Sequence, residues 1–293
     1  MKFVVTGGAG FVGTNLIKRL LSDGHEVVSV DNYSTGKKNN HIDSNDVDYI
    51  QKDISDIDIY KDMPKYVDGV FHLAALARIQ PSFEHPSLSF EANSLGTQYL
   101  MEWVRKIECP LVYAGSSSIH GDKYANPYTF TKYIGEEIIK MYAELFDVPT
   151  IITRFYNVYG EHQATEGAYC NVLGVFERLY KNNQPLTITG DGEQRRDFTY
   201  VGDIVDGIVK SMEAMHGAID MIYTAEEFEL GRGKNYSINE IANAFGDMYA
   251  KEYIDAWPGE VRETLNTDTK AREVLGWEPT VDIIDFIEEN YVK

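Results

Sequence analysis

At 293 residues, with 43% hydrophobic and 25% charged side chains, the chain can bury one large core or two modest ones. Its formal net charge of −19 speaks against extended contact with nucleic acid or anionic lipid, and obliges any anionic ligand to be met by local arginines. No apolar run is long enough to span a membrane, and the chain enters a strand directly without a signal-like segment, so a cytoplasmic location is expected.

The first predicted element is a strand, Phe3 to Val5, apolar and β-branched. It breaks at Gly7-Gly8-Ala9-Gly10-Phe11-Val12-Gly13 and resumes as a helix with Phe11, Val12, Leu16, Ile17, Leu20 and Leu21 on one face. A turn built on Gly7, Gly10 and Gly13 can approach a pyrophosphate closely, and the helix start offers it free N–H groups. The second strand, Val27 to Val30, ends in Asp31, at about the ~20-residue distance expected of the carboxylate that accepts adenosine ribose hydroxyls. An acid there favours NAD over NADP, although Lys37 and Lys38, in the polar loop opened by Asn32, would soften the preference. A flexible loop followed by an exposed acid is the plainer alternative.

A short strand, Val47 to Ile50, leads to Asp53-Ile54; Asp53 either meets the adenine amino group or caps a helix before Ile57. The next strand, Val70 to Ala75, ends in the small residues Ala74 and Ala75, which leave room for a cofactor in the crevice of an open α/β sheet. One long helix is predicted from Pro86 to Ile107, with Asn93 among its apolar residues as a core amide or a structural part of the site. Cys109 and Cys170 stand singly and read as buried thiols.

Leu111 to Gly115 is a strand running into Ser116-Ser117-Ser118, and Tyr128 to about Phe146 is a helix. Tyr128 and Lys132 share a helical face. An ammonium beside a phenol favours the phenolate, so Lys132 is expected to lower Tyr128 from its ordinary ~10. Ser116 could hydrogen-bond the same substrate oxygen, completing an acid/base group that moves a proton while NAD accepts a hydride. Alone, Tyr-x-x-x-Lys is common on amphipathic helices. Its meaning comes from the serine-ended strand and the dinucleotide loop before it.

These segments, with Asp31-Asn32-Tyr33-Ser34-Thr35-Gly36, His72-Leu73-Ala74-Ala75, Arg154-Phe155-Tyr156-Asn157-Val158-Tyr159-Gly160 and Arg196-Asp197-Phe198-x-Tyr200-Val201-x-Asp203, resemble the extended short-chain dehydrogenase/reductase family in its nucleotide-sugar epimerase/dehydratase branch. The resemblance covers nearly the whole chain. It implies an α/β fold in which a doubly wound parallel sheet (Rossmann) binds NAD and a smaller C-terminal α/β domain holds a nucleoside diphosphate sugar. The expected division is 1–165, with 198–216 returning to it, and 166–293. By resemblance NAD is contacted by Gly7, Gly10, Phe11, Val12, Gly13, Asp31, Asn32, Asp53, Ile54, Leu73, Ala74 and Ala75, together with Tyr128 and Lys132.

The family's 4,6-dehydratases carry an Asp-Glu pair where this chain has Ser117-Ser118, and its glucuronate decarboxylases a Glu at Ser118. What remains resembles the 4-epimerases, which need Ser116, Tyr128, Lys132 and NAD. A dehydratase, a 4-keto-sugar reductase and a non-catalytic dinucleotide sensor are the alternatives. Only six residues separate Gly121 from Tyr128, a shorter loop than relatives have.

In the second half, Thr150 to Thr153 is a strand and Asn171-Val172-Leu173 opens a helix. The resemblance assigns substrate contacts to Ser116, Ser117, Asn157, Asn171, Val172 (against uracil), Arg196 and Arg262. Arg suits diphosphate; Arg195 reads as a solvated neighbour. Asp203 is expected to cap a helix from Ile204 to Met215, and Ser237 with Glu240 a helix from Ile238 to Tyr249. Ile222-Tyr223 would be a strand of the small domain. By the same resemblance, Asn171 stands where relatives that accept N-acetylated sugars have a small residue and so favours glucose/galactose forms, Thr264 is permissive, and Gln80, in place of an arginine that some glucuronate epimerases use, weighs against uronic acids. A UDP-hexose is therefore expected, and the resemblance implies a homodimer through helices Pro86 to Ile107 and Tyr128 to Phe146, although core burial explains their apolar faces equally well.

Overall fold

The computed structural model describes residues 1–217, 224–256 and 261–292. Ile222-Tyr223 and Trp257 to Glu260 lie outside them.

The first half alternates strand and helix. It runs β1 Lys2–Thr6, α1 Phe11–Ser22, β2 Glu26–Asp31, β3 Val47–Gln51, β4 Gly69–His72, α2 Ile79–Glu84, α3 Pro86–Phe90, α4 Gly96–Ile107, β5 Leu111–Ser116, α5 Pro127–Phe146 and β6 Thr150–Phe155. Then come β7 Asn157–Tyr159, α6 Val172–Lys181, β8 Leu186–Thr189, β9 Arg195–Tyr200, α7 Val201–Gly217, β10 Thr224–Leu230, β11 Asn235–Ser237, α8 Ile238–Ala244, β12 Lys251–Ile254, α9 Lys270–Leu275 and α10 Ile283–Tyr291.

Seven strands form one parallel sheet in the order β10-β6-β5-β4-β1-β2-β3. Strand order reverses between β1 and β4, which opens a crevice at the carboxyl ends of those two strands. Both sheet faces are covered, as parallel sheets require. Leu16, Ile17, Ile204, Ile208 and Trp277 pack on one side; Leu100, Met101, Trp103, Ile139 and Tyr142 pack on the other. A third core, with Leu173, Phe176, Ile188, Ile241, Phe245 and Phe286, gathers α6, α8 and α10 around the sheets β11-β9-β7 and β12-β8.

Several elements depart from expectation. The helix predicted over Pro86 to Ile107 is continuous but contains a π turn, Glu91–Leu95, between α3 and α4. The wider turn surrounds buried Asn93, whose amide bonds both peptide groups of Leu76. Strand β4, which borders the crevice, stops at His72, so Leu73, Ala74 and Ala75 form a loop. Asp53 caps nothing before Ile57: Asp56 accepts Asp58 N–H there at 3.0 Å. Asp203 is not the cap of its helix either. It lies inside α7 and accepts Thr280 N–H at 2.9 Å and Thr280 O–H at 3.0 Å, tying the segment before α10 to α7. The Ser237/Glu240 capping box is present, but α8 ends at Ala244 because Gly246, at φ +125°, turns the chain out of helical geometry.

Candidate active site

The glycine turn occupies the crevice wall at the end of β1. Gly7 has φ +72°, and a Cβ on it would lie 2.9 Å from the backbone of Ala74 across the crevice. A Cβ on Gly13 would meet the Gly7 carbonyl oxygen at 2.2 Å, so α1 can dock on the turn only without a side chain there. Gly10 is the N-cap of α1, and half-buried Phe11 and Val12 form its first turn. The buried Asp31 carboxylate accepts Ala9 N–H at 3.0 Å and Tyr33 N–H at 2.7 Å, with the second lone pair of each oxygen still available. Burial pushes its pKa up, against those two bonds. Exposed Asn32 donates to Asp53 at 2.7 Å. Burial raises the Asp53 carboxyl, but the bonds from Ser55 and Asn32 outweigh it and leave its pKa below the ordinary value. The Ile54 side chain packs in the core beside Gly96. Leu73 N–H and Ala74 N–H both bond Thr6, at 3.2 Å each.

Ser116 ends β5, and Pro127 and Tyr128 open α5 behind the N-cap Asn126, which accepts Thr129 N–H at 2.8 Å. This places the Tyr128 hydroxyl 3.0 Å from Ser116 Oγ, which in turn is 2.9 Å from Ser118 Oγ. Ser117 is half-buried in the same turn. Lys132, 4% exposed, donates to the Ala114 carbonyl at 2.6 Å and lies over the Tyr113 ring. Burial pulls its pKa down to about 8.

The expected lowering of the Tyr128 phenol by Lys132 is not found. Burial raises the phenol, and the opposing influences are the Ser116 hydrogen bond and the charge of Arg78. Lys132 is turned to a backbone carbonyl instead. Arg78 drew no attention in the sequence because it follows the motif-bearing part of its loop. Its Nε donates to Tyr169 O at 2.9 Å.

Behind α5 lies a buried ionic cluster that the sequence did not disclose. Arg154 on β6 binds Glu136, one turn beyond Lys132, at 2.7 Å and Glu229 on β10 at 2.9 Å. Glu229 also bonds His120, in the turn after Ser116, at 2.9 Å and raises the imidazole pKa.

The remaining candidates are more dispersed. Asn157 donates weakly to Asp197 O and Thr264 Oγ1, each at 3.3 Å. Asn171 caps α6, accepting Gly174 N–H at 2.6 Å and donating to Val158 O and Gln163, so its amide is engaged within the fold and does not support sugar discrimination. Val172, in the first turn of α6, is half-buried against the third core. Arg196 donates to Arg195 O at 2.9 Å. Arg195 is not a solvated neighbour: it binds Asn235 and Glu240, both at 2.9 Å. Arg262 lies on the segment beside β9 and pairs with Asp191 at 2.8 Å. Cys109 is buried and Cys170 half-buried, both free thiols. Burial pushes the Cys109 thiol up to about 12.

Comparison with known proteins gives the class. The profile of the NAD dependent epimerase/dehydratase family matches residues 3–223. A UDP-glucose 4-epimerase of Mycolicibacterium smegmatis is 32% identical over 98% of this chain and 96% of its own. The UDP-glucose 4-epimerase of Thermotoga maritima, solved with UDP-glucose, superposes with TM-score 0.87 at 28% identity over 97% of this chain and 96% of that one. The UDP-glucuronic acid 4-epimerase of Bacillus cereus, solved with UDP-glucuronic acid and NAD, gives TM-score 0.86 at 29% identity over 99% and 98%. The chain belongs to the NAD-dependent epimerase/dehydratase family, and its cofactor is NAD.

Proposed function

We propose that this protein is a 4-epimerase of a UDP-hexose, interconverting the gluco and galacto configurations. The observation that carries the reading is the 3.0 Å contact between Tyr128 OH and Ser116 Oγ beside the dinucleotide crevice. The glycine turn and Asp31 suit the cofactor: the turn excludes side chains where a pyrophosphate must approach, and the carboxylate keeps acceptor capacity for ribose hydroxyls. Gly7, Gly10, Phe11, Val12, Gly13, Asp31, Asn32, Asp53, Leu73, Ala74 and Ala75 would hold NAD, which supplies a hydride acceptor for C4 of the sugar. Tyr128 as phenolate removes the C4 hydroxyl proton, and Ser116 shares that hydrogen bond. Lys132 orients the cofactor ribose and steadies the phenolate once ligands displace it from Ala114. Bound NAD would supply reversible hydride acceptance at C4, and Tyr128 would give the proton back once the sugar has turned in the site.

The hydroxyls of Ser117 and Ser118 support epimerisation over dehydration, because neither is a carboxylic acid able to assist loss of water at C5 and C6. Asn157, Val172, Arg196 and Arg262 would meet the nucleotide and diphosphate. We further read the division into an NAD-binding part, 1–165 with 198–216, and a mainly substrate-binding part, 166–293. A dimer through the helical stretch from Pro86 to Ile107 and through α5 belongs to the same reading; exposed Leu95, Met141 and Leu145 support it.

The test is direct. Purified protein is mixed with UDP-glucose, UDP-N-acetylglucosamine and UDP-glucuronate, and the products are separated chromatographically. Appearance of a C4 epimer is expected; its absence with all three, or net NADH consumption, removes the reading.

A further inference from the structure

Arg78 is the residue before α2, on a segment tied to the start of α5. Two residues before it, Leu76 is clamped by Asn93, which accepts its N–H at 2.8 Å, donates to its carbonyl at 3.1 Å and donates to Thr131 on α5 at 3.0 Å. Four residues after it, Ser82 Oγ accepts the backbone N–H of Tyr128 at 3.1 Å. The segment carrying Arg78 is thus tied on both sides to the helical turn that carries Tyr128. From there the guanidinium reaches across to the segment leading into α6, donating to Tyr169 O at 2.9 Å and to its own neighbour Ala77 O at 3.3 Å. Both acceptors are carbonyls.

Among the described residues no carboxylate pairs with Arg78, in a chain with 46 acids against 27 bases. A guanidinium cannot shed its charge, and a half-buried one whose acceptors are carbonyls alone gains from the arrival of an anion. Burial holds its pKa below the ordinary value, and Tyr128 is the first group that opposes this.

Its place selects the anion. If Tyr128 bonds the hydroxyl on C4, a cation beside that phenol reaches the substituents on C3 and C5, whereas the diphosphate leaves from C1, on the far side of a pyranose ring. In a simple hexose the only one of those substituents that can be ionised is C6, at the carboxylate oxidation level. We infer that Arg78 determines specificity by pairing with a carboxylate at C6, so that the hexose this site takes is a uronic acid. The charge missing at Gln80 is then supplied two residues earlier. This rests on the epimerase reading only for placing C4 at Tyr128.

The experiment compares kcat/KM for UDP-glucuronate, UDP-glucose and UDP-N-acetylglucosamine in the NAD-loaded protein. The uronate is expected to lead by at least ten-fold. Arg78→Met is expected to lower the uronate-to-glucose ratio at least ten-fold, mainly through KM, with Arg78→Lys keeping part of it. A purely structural role moves both substrates together, so an unchanged ratio, or a preference for a neutral sugar, overturns the inference. Calorimetry on Tyr128→Phe answers without turnover. UDP-glucuronate should bind more tightly than UDP-glucose and lose that advantage when Arg78→Met is added; equal binding overturns it. If no sugar is epimerised while this binding preference stands, the epimerase reading fails and the carboxylate site survives.

Discussion

Lys132→Met should make the folded protein more stable at neutral pH while abolishing turnover. The lysine is 4% exposed, its ammonium donates to the Ala114 carbonyl, and burial draws its pKa from 10.5 down to about 8. At ~1.4 kcal/mol per pH unit, that displacement corresponds to about 3 kcal/mol of instability carried by the charged form. The sign follows from proton counting. Below pH 8 both folded and unfolded chains hold the proton, and the folded state bears the whole cost. Between pH 8 and 10.5 only the unfolded chain keeps it, so unfolding free energy climbs with pH; above that window the cost is gone. Methionine removes the charge at similar volume and gives up a neutral amine bond worth about 1 kcal/mol. The expected net gain at pH 7 is about 2 kcal/mol, or roughly 5 °C in Tm for a chain this size. Urea unfolding at pH 7 and at pH 10 checks it, on NAD-stripped protein because bound cofactor stabilises by mass action. The advantage should disappear at the higher pH. A Lys132→Met protein no more stable than wild type at pH 7, or equally favoured at both pH values, would refute the claim that this lysine is held charged at a cost.

Tyr128→Phe should lower kcat by ~10²–10⁴ with little change in calorimetric UDP-sugar affinity, since the lost group is the proton acceptor. Gly13→Ala places a methyl 2.2 Å from the Gly7 carbonyl and should weaken NAD binding at least ten-fold, read by fluorescence titration, with the third core intact. Glu229→Gln removes the anion that raises the His120 imidazole, so an NMR titration should show its pKa fall towards ~6.5; an unmoved value would mean that Glu229 is not the cause. Asp203→Ala, which frees Thr280 and Val281, should cost about 2–4 kcal/mol in urea unfolding.

What the sequence disclosed is what short-range pattern can encode. Strand, glycine turn and helix are contiguous, and Ser116, Tyr128 and Lys132 come together because one strand end faces one helix start. The π turn at Glu91–Leu95 escaped notice because an inserted residue barely disturbs the apolar spacing of a helix. β10 was missed since Thr-Ala-Glu-Glu-Phe-Glu-Leu reads as polar; its acids are matched by cations of distant elements, Glu226 by Lys270 and Glu227 by Lys140 and Arg154. Arg78 and its partner Tyr169 are 91 residues apart, His120 and Glu229 109 apart, and no local signal joins such pairs. Asn171 was legible after all: an Asn directly before a Val-Leu helix start is a capping signal, and capping is how the structure uses it.

The position of β10 at the end of the large sheet bears on biosynthesis. Every residue assigned here to proton transfer has been translated before Thr224, yet until Leu230 emerges β6 presents an unpaired edge and Arg154 lacks Glu227 and Glu229. An emerging chain therefore holds an open strand beside a half-neutralised arginine, the condition under which sheets recruit the wrong neighbour. Premature termination before β10 should therefore yield insoluble fragments instead of a working cofactor domain.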